Sequence, residues 1–231
     1  MLIQTQNIDK GFFNEDIETT ALRNVNLTIE NGEFVAIMGP SGCGKSTLMN
    51  ILGLLYEPDS GSVMFEGKEL QNSSEKERTK FRRGNIGFVF QNFNLIDELN
   101  VRENVELPLV FMGIGRRERN KRVTEVLSRL KMEHRASHHP QQLSGGQQQR
   151  IAFARAIVTS PDTILADEPT GNLDSKNGNH ILRLLSEYNR NGTTIIMVTH
   201  SMRDASYAHR IIHMQDGLVV VEGEKEFSGK L

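Results

Sequence analysis

Cysteine is almost absent from the sequence, since Cys43 is the only one among 231 residues. A single cysteine excludes an intrachain disulfide framework and suits a reducing compartment. Neither sign of charge is in excess, because the formal net charge is only −2. That balance gives no support for nucleic acid as the main partner, and none is expected.

Long apolar runs are also missing. The longest are short segments such as Thr194–Val198, far below the roughly 20 residues that a membrane-spanning helix needs. The N-terminus, MLIQTQNIDK, has no basic start followed by an apolar core, so no signal peptide is expected. We therefore expect a cytoplasmic protein, in which any membrane role comes through a separate partner.

The hydrophobic pattern predicts an α/β fold. Alternating apolar and polar residues predict half-buried antiparallel strands over 2–8 and 24–30. The continuous apolar run Phe34–Met38 is typical of a strand covered on both faces, and a helix over 45–55 should follow it. Further strands are expected over 63–66, 86–90, 163–166, 194–199, 210–214 and 218–221, and further helices over 175–188 and 202–208.

The middle of the chain changes character, because residues 100–160 carry a helical pattern. We expect one domain over 1–231, built on an α/β core with an antiparallel β subdomain (1–91 and 160–231). A helical subdomain (92–159) interrupts that core.

A phosphate loop is the strongest motif. Residues 39–46, GPSGCGKS, match G-x-x-x-x-G-K-[ST] without a gap, between a predicted strand and a predicted helix. Glycines let backbone N–H groups curl around a phosphate, Lys45 reaches the β- and γ-oxygens, and the Ser46 hydroxyl ligates Mg²⁺. The alternative is a Gly-rich turn with an exposed lysine. The predicted nucleotide ligands here are Gly39, Ser41, Gly42, Cys43, Gly44, Lys45, Ser46 and Thr47.

Cys43 lies inside this loop and has two interpretations. A thiol at a helix N-terminus could be a reactive redox switch. We favour the other, in which its backbone N–H contacts phosphate and its side chain is a small filler.

Two carboxylates follow the predicted strand over 163–166. Asp167 suits a magnesium ligand acting through water, and Glu168 suits the base that polarises a water for in-line attack. By itself such a pair is more often a helix cap or a turn, but a phosphate loop in the same chain favours catalysis. Gln91 and His200 also end predicted strands, where open α/β sheets place ligands. A structural role for either residue stays open.

A second glycine motif, LSGGQ, occupies residues 143–147 and opens a predicted helix that runs to about Thr159. Ser144 and Gln147 have the spacing of a capping box, so a well-capped helix is one interpretation. The other is a second anion site, because an uncovered helix N-terminus attracts phosphate.

Taken together, these motifs resemble the ABC-type ATPases over essentially the whole chain. The resemblance rests on the phosphate loop, Gln91, residues 143–147, Asp167 with Glu168, residues 172–174 and His200, in that family's order and spacing. It implies a P-loop NTPase (RecA-like) core and a head-to-tail homodimer with two sandwiched Mg-ATP. Each ATP would contact one phosphate loop and the other copy's Ser144, Gly145, Gly146 and Gln147.

The same resemblance implies roles for single residues. Phe12 would stack on adenine, although Phe13 is adjacent, and Gln91 would be a magnesium ligand and the coupling glutamine. Asp174 would make a cross-dimer contact, and His200 would sense the γ-phosphate.

Narrower words, such as IGFVFQ at 86–91 and LADEPTGNLD at 165–174, are similar to the MacB/LolD/FtsE group. That group implies an integral-membrane permease partner and export of macrolide, peptide or lipoprotein, or mechanotransmission. The chain would then lie on the inner face of the cell membrane. An extra C-terminal regulatory domain is not expected. A slowly cycling regulatory ATPase of cell division or envelope signalling, and a soluble non-transport ABC ATPase, are the alternatives.

Residues 92–114 are the expected coupling surface, because they are rich in apolar side chains that could form a groove for a permease helix. A helical-subdomain core would use many of the same residues. The basic run 116–122 could contact lipid or a partner, but a solvated helix face is favoured. The apolar residues concerned are Phe93, Leu95, Ile96, Val101, Leu107, Leu109, Val110, Phe111 and Met112.

Overall fold

The structure is a computed structural model that describes residues 3–14, 17–70 and 73–224. They form two compact units, one up to Arg78 and from Thr194 onward, the other from Thr79 to Thr193. The predicted helical subdomain, 92–159, lies within the second unit. Leu2, expected to open the first strand, lies outside the described residues.

An antiparallel sheet occupies the N-terminal part of the first unit. Its strands are β1 (Ile3–Asn14), β2 (Ile17–Ile29), β4 (Ser60–Phe65) and β5 (Lys68–Glu69), in the order β2-β1-β4-β5. The first two strands are longer than predicted. The pairing register of these two strands is irregular near Ile8 and Lys10, and the backbone is left-handed at Asn7 and Asn24. These irregularities interrupt the alternation of apolar and polar residues from which the strand lengths were predicted.

A mostly parallel sheet forms the rest of the first unit. Strand β3 (Phe34–Met38) pairs in parallel with β8 (Thr194–Val198) and β9 (Arg210–Gln215), and β10 (Leu218–Glu224) pairs antiparallel with β9. Every residue of β3 and β8 is buried, as their continuous apolar sequences predict. Helices α1 (Lys45–Leu52) and α7 (Met202–Ala205) complete the unit.

Helix α1 ends at Leu52, earlier than predicted, because Gly53 caps it and Leu54 takes a left-handed conformation with φ 56°. Helix α2 (Glu75–Asn85), within which the chain passes into the second unit, was not predicted at all. Its only buried residue is Arg78. The helix therefore carries no apolar stripe for periodicity to detect.

The second unit is mainly helical. It contains the parallel strand pair β6 (Ile86–Val89) and β7 (Thr163–Asp167). Its helices are α3 (Val101–Phe111), α4 (Arg116–Arg129), α5 (Gly145–Ile157) and α6 (Ser175–Arg190). In the basic run, Arg119 pairs with Glu106 at 2.5 Å and Arg122 with Glu118 at 2.7 Å.

In the part of the chain that the structure describes, no helix is both long and apolar enough to span a bilayer.

Candidate nucleotide site

The phosphate loop joins β3 to α1, as its sequence predicts. Gly44 is the N-cap of α1 and has φ 99°, and a Cβ there would overlap the carbonyl oxygen of Ala21. Only glycine fits this left-handed, closely approached position. The loop therefore delivers the chain directly into the first turn of α1, where unpaired backbone N–H groups can face an anion.

Lys45 lies back across the loop and is only 8% exposed. Its ammonium donates hydrogen bonds to the carbonyl oxygens of Gly39 at 2.9 Å and Pro40 at 2.7 Å. The next residue, Ser46, is exposed, as are Ser41 and Gly42 on the other arm of the loop. The loop thus offers backbone N–H groups, the Lys45 ammonium and the Ser46 hydroxyl. These are the groups that a nucleotide phosphate and its metal ion require.

The Cys43 side chain is buried within this loop. Its thiol lies 3.8 Å from the Lys45 ammonium, and a Cβ added to Gly39 would come within 2.7 Å of the sulfur. The carbonyl of Cys43 accepts a hydrogen bond from the Gly217 N–H at 3.2 Å. These contacts support the interpretation of the side chain as a filler.

Two further predicted ligands lie in the same unit. His200 is exposed and follows Thr199, whose backbone N–H bonds to the Ile37 carbonyl at 3.1 Å. Phe12 is 40% exposed and meets the ring of Tyr56 edge-on at 5.9 Å. The side chain of Phe13, the alternative aromatic, lies outside the described ones.

In the second unit, β7 ends in the predicted carboxylates. Asp167 is the last residue of the strand, and both it and Glu168 are half-buried. Glu168 has a left-handed backbone with φ 44°, a conformation that costs free energy for a residue with a side chain. Such strain is typical of residues whose direction matters for function. A turn closed by the Gly171 N–H on the Glu168 carbonyl at 3.0 Å holds it.

Gln91 is held by a residue to which the sequence assigned no role. The Asn172 amide donates to the Gln91 carbonyl at 3.1 Å, and the Gln91 amide approaches the Asn172 oxygen at 3.5 Å. A Cβ on Gly171 would lie 2.7 Å from the Gln91 amide nitrogen, so glycine leaves room for this contact. Gly171 and Asn172 both belong to the segment TGNLD. An asparagine after a glycine is typical of a turn, and this was the sequence signal that could have pointed to Asn172.

The LSGGQ segment forms the N-terminus of α5. The predicted capping box is present, and the Gln147 side-chain oxygen accepts from the Ser144 N–H at 3.0 Å. Ser144 is exposed. A Cβ on Gly146 would overlap the Asn177 side chain, which would have to move to admit it. The end of the helix is therefore capped yet open to solvent, as an anion site at a helix N-terminus must be.

Asp174 is brought to the same region, because it is the N-cap of α6. Its carboxylate accepts from the Asn177 N–H at 2.9 Å and from the Asn177 amide at 2.7 Å. These hydrogen bonds, with a smaller contribution from Lys176, hold the pKa of Asp174 below its usual range. It is therefore ionised at neutral pH, beside the glycines of α5.

The predicted residues thus divide between the units. The phosphate loop, Phe12 and His200 belong to the first unit, and Gln91, Asp167, Glu168, Asp174 and residues 144–147 to the second. Within the second unit, the structure links Gln91 to the loop after Glu168, and residues 144–147 to the start of α6.

Each predicted metal ligand carries a donor type that suits magnesium. Ser46, Gln91 and Asp167 offer a hydroxyl, an amide and a carboxylate oxygen, and Mg²⁺ prefers oxygen ligands together with substrate phosphates. Among the described residues, no group of three or more His, Cys, Asp or Glu side chains could hold a metal ion by itself.

Comparisons with known proteins agree on one family. The ABC transporter family profile matches residues 22–171. The uncharacterized ABC transporter ATP-binding protein MJ1508 of Methanocaldococcus jannaschii is 49% identical over 95% of this chain and 98% of its own length. The macrolide export ATP-binding/permease protein MacB 2 of Yersinia pestis is 43% identical over 98% of this chain, which spans only 33% of MacB 2.

A solved structure gives the same result. The ATP-binding cassette MJ0796, in a dimeric post-hydrolysis state bound to ADP and Pi, superposes with a TM-score of 0.90. It is 46% identical and covers 96% of this chain and 98% of its own. The expected P-loop fold with an antiparallel β subdomain and helical parts is thereby confirmed. The chain belongs to the ABC transporter family, as an ATP-binding cassette that hydrolyses ATP with Mg²⁺.

Proposed function

We propose that this chain is the ATPase subunit of a membrane transport or mechanotransmission complex, and that two copies close head-to-tail on two Mg-ATP to drive a permease of the MacB/LolD/FtsX type. The observation that carries the proposal is the exposed, capped N-terminus of α5. It is open to solvent at the start of a capped helix, where an anion bound by a second copy could be held.

Binding begins at the phosphate loop. The backbone N–H groups of residues 41–46 surround the phosphates, Lys45 neutralises charge on the β- and γ-oxygens, and Phe12 stacks on adenine. When bound, Mg²⁺ would offset the charge of the phosphates. Ser46 and Gln91 would hold it directly, and Asp167 through water.

Hydrolysis uses Glu168 as a general base. Its carboxylate accepts a proton from a water molecule as the water oxygen attacks the γ-phosphorus. The bond from that phosphorus to the bridging oxygen of the β-phosphate breaks, and ADP and inorganic phosphate result. His200 hydrogen-bonds the γ-phosphate and orients the water.

A second copy completes each site. Ser144 and Gln147 of that copy donate to the γ-phosphate, and α5 directs its positive end toward the same anion. Asp174 makes a cross-dimer contact nearby. The dimeric state of MJ0796 supports this arrangement.

The permease is proposed to dock in a groove of about 540 Å³ on the second unit. The rings of Phe88 and Phe90 stack on one wall, with centroids 5.7 Å apart, and Phe111 is 58% exposed on another. Of the residues expected at a coupling surface, Leu107 and Phe111 line the groove, whereas Val101 and Leu109 are buried.

The charge of the groove favours a cytoplasmic permease helix with acidic side chains as its occupant. Arg82, Arg83 and Arg155 line the groove, and no acidic residue among the described ones does. Burial lowers the pKa of Arg155, whose guanidinium bonds to backbone carbonyls of Phe93 and Asn94. A carboxylate from a partner would compensate the desolvated guanidinium. The complex would lie on the inner face of the cell membrane.

Phe111→Ser is expected to reduce recovery of the permease about tenfold or more when the tagged chain is purified from detergent-solubilised membranes. An exposed aromatic anchor in a groove carries a large share of such binding free energy. Quantitative mass spectrometry of the purified complex measures the recovery.

The matched control is Val110→Ser, because Val110 is similarly exposed on the same helix but does not line the groove. It should recover permease as the natural chain does. Equal recovery with Phe111→Ser would rule out this groove, and recovery of ribosomes or DNA in place of a permease would contradict the proposed function.

A further inference from the structure

Gln149 is a fully buried polar residue on α5, with 0% of its surface exposed. Its side-chain amide donates to the carbonyl oxygen of Pro169 at 2.7 Å and approaches that of Phe90 at 3.4 Å. Phe90 directly precedes Gln91, and Pro169 directly follows Glu168. One amide group therefore ties together the two loops that carry the proposed magnesium ligand and the proposed base.

The burial of this glutamine is costly. Its side-chain oxygen is buried and has no hydrogen-bond partner among the described residues. A buried polar atom without a partner loses its hydration and gains nothing in return. An apolar side chain of similar size would pack at this position without that loss, so packing alone does not account for a glutamine.

The loop that Gln149 holds is strained. Phe93 and Asn94 both have left-handed backbones, with φ 62° and 49°. Arg155, six positions further along α5, donates to the carbonyls of both at 2.9 and 2.5 Å. Such conformations persist only when the surrounding structure holds them. Helix α5 therefore holds this loop through two side chains, Gln149 and Arg155. Of the two, Gln149 alone also bonds to the loop after Glu168.

We propose that Gln149 is a positioning residue of the ATPase reaction. It links the helix that begins at Ser144 to both catalytic loops, so that contact of residues 144–147 with a second copy's nucleotide sets the positions of Gln91 and Glu168. This inference rests on the roles proposed above for those residues. Gln149 touches neither nucleotide nor metal in this account, and acts only through the two backbone carbonyls.

Two substitutions test it in the purified full chain. Gln149→Met keeps the length of the side chain and removes the donor. Its kcat should fall about tenfold or more, with ATP affinity within about twofold of the natural chain. The Mg²⁺ concentration for half-maximal activity should rise, because Gln91 is displaced. A residue that merely packs would leave the Mg²⁺ requirement unchanged.

Gln149→Glu adds a pH readout. A buried carboxylate facing two carbonyl oxygens has a raised pKa, and only its protonated form can donate to them. The activity of this variant relative to the natural chain should therefore rise as pH falls from 9 to 6. This arm decides the question if the methionine variant does not fold.

Asn189→Leu is the matched control. Asn189 is another buried amide of the second unit, which donates to the Thr193 carbonyl at 3.0 Å, at the opposite end of α6 from Asp174. Its loss should lower thermal stability and leave kcat and the Mg²⁺ requirement unchanged. The inference would be overturned if Gln149→Met kept the natural kcat and the natural Mg²⁺ requirement. It would equally be overturned if the activity of Gln149→Glu relative to the natural chain did not change with pH. Glu168→Gln is assayed alongside, because full activity there would instead refute the proposed base.

Discussion

Glu168→Gln is expected to lower the rate of ATP hydrolysis by about 100-fold or more, the size of effect typical of a lost general base. Glutamine keeps the shape of the side chain but cannot accept the proton of the attacking water. ATP affinity should change by less than about threefold, because Glu168 is not one of the proposed phosphate ligands. Phosphate release and equilibrium ATP binding measure the two quantities.

The same variant should accumulate as an ATP-bound dimer. Since hydrolysis is what opens the closed pair in this account, size-exclusion chromatography in saturating Mg-ATP should show a dimer that is absent without nucleotide. Asp162→Asn, an exposed carboxylate that precedes β7 at its other end, is the control and should behave as the natural chain. A Glu168→Gln protein that stays monomeric in Mg-ATP would count against the sandwich.

Ser144→Arg is expected to abolish hydrolysis, by about 100-fold or more, while the chain continues to bind ATP. Ser144 is exposed at the N-terminus of α5, so an arginine there fits the isolated chain but blocks the approach of a second copy's γ-phosphate. Filter binding or fluorescent-nucleotide titration separates this effect from a loss of affinity. Equal loss of binding and hydrolysis would mean that residues 144–147 act within their own chain.

Ser74→Arg controls for the loss of the helix cap. Ser74 opens α2 with the same type of capping box, in which its N–H bonds to the Glu77 carboxylate at 2.9 Å. Either substitution should cost about 1 kcal/mol of stability through the lost cap. Only Ser144→Arg should affect hydrolysis.

The sequence predicted the parts of the site that depend on local chemistry. A continuous apolar run predicted strand β3. The glycines and Lys45 that follow define a loop of eight residues, and those residues dictate its conformation. The capping box of α5 was equally local, because Ser144 and Gln147 are three residues apart. Strand β7 and its terminal carboxylates were predicted for the same reason.

Contacts between distant segments could not be predicted in this way. The hydrogen bond from Asn172 to Gln91 joins residues 81 positions apart. The hydrophobic periodicity of a sequence carries no information about such a pairing. Gln149 stands among three successive glutamines that look alike in sequence. Helical phase was the available signal, since Gln149 shares a face with the buried residues Ala152, Phe153 and Ala156. Helix α2 was missed because burial of an arginine leaves no apolar pattern.

The exposed, capped N-terminus of α5 is the feature that points to a second copy, and the dimeric structures of MJ0796 agree with it. Lys45 and Ser46 lie in one unit and residues 144–147 in the other, and each set has its own local reason to bind phosphate. We therefore propose that every working site takes its phosphate loop from one chain and its α5 N-terminus from another.

Mixing two inactive variants tests this claim most directly. Lys45→Ala removes the phosphate cation, Ser144→Arg blocks the α5 N-terminus, and each protein alone should be inactive. A mixed dimer has one intact site, formed by Lys45 of one chain and Ser144 of the other. An equal mixture should regain up to about a quarter of the natural activity, because half of the dimers are mixed and one of their two sites works. A mixture no more active than either variant alone would contradict the claim.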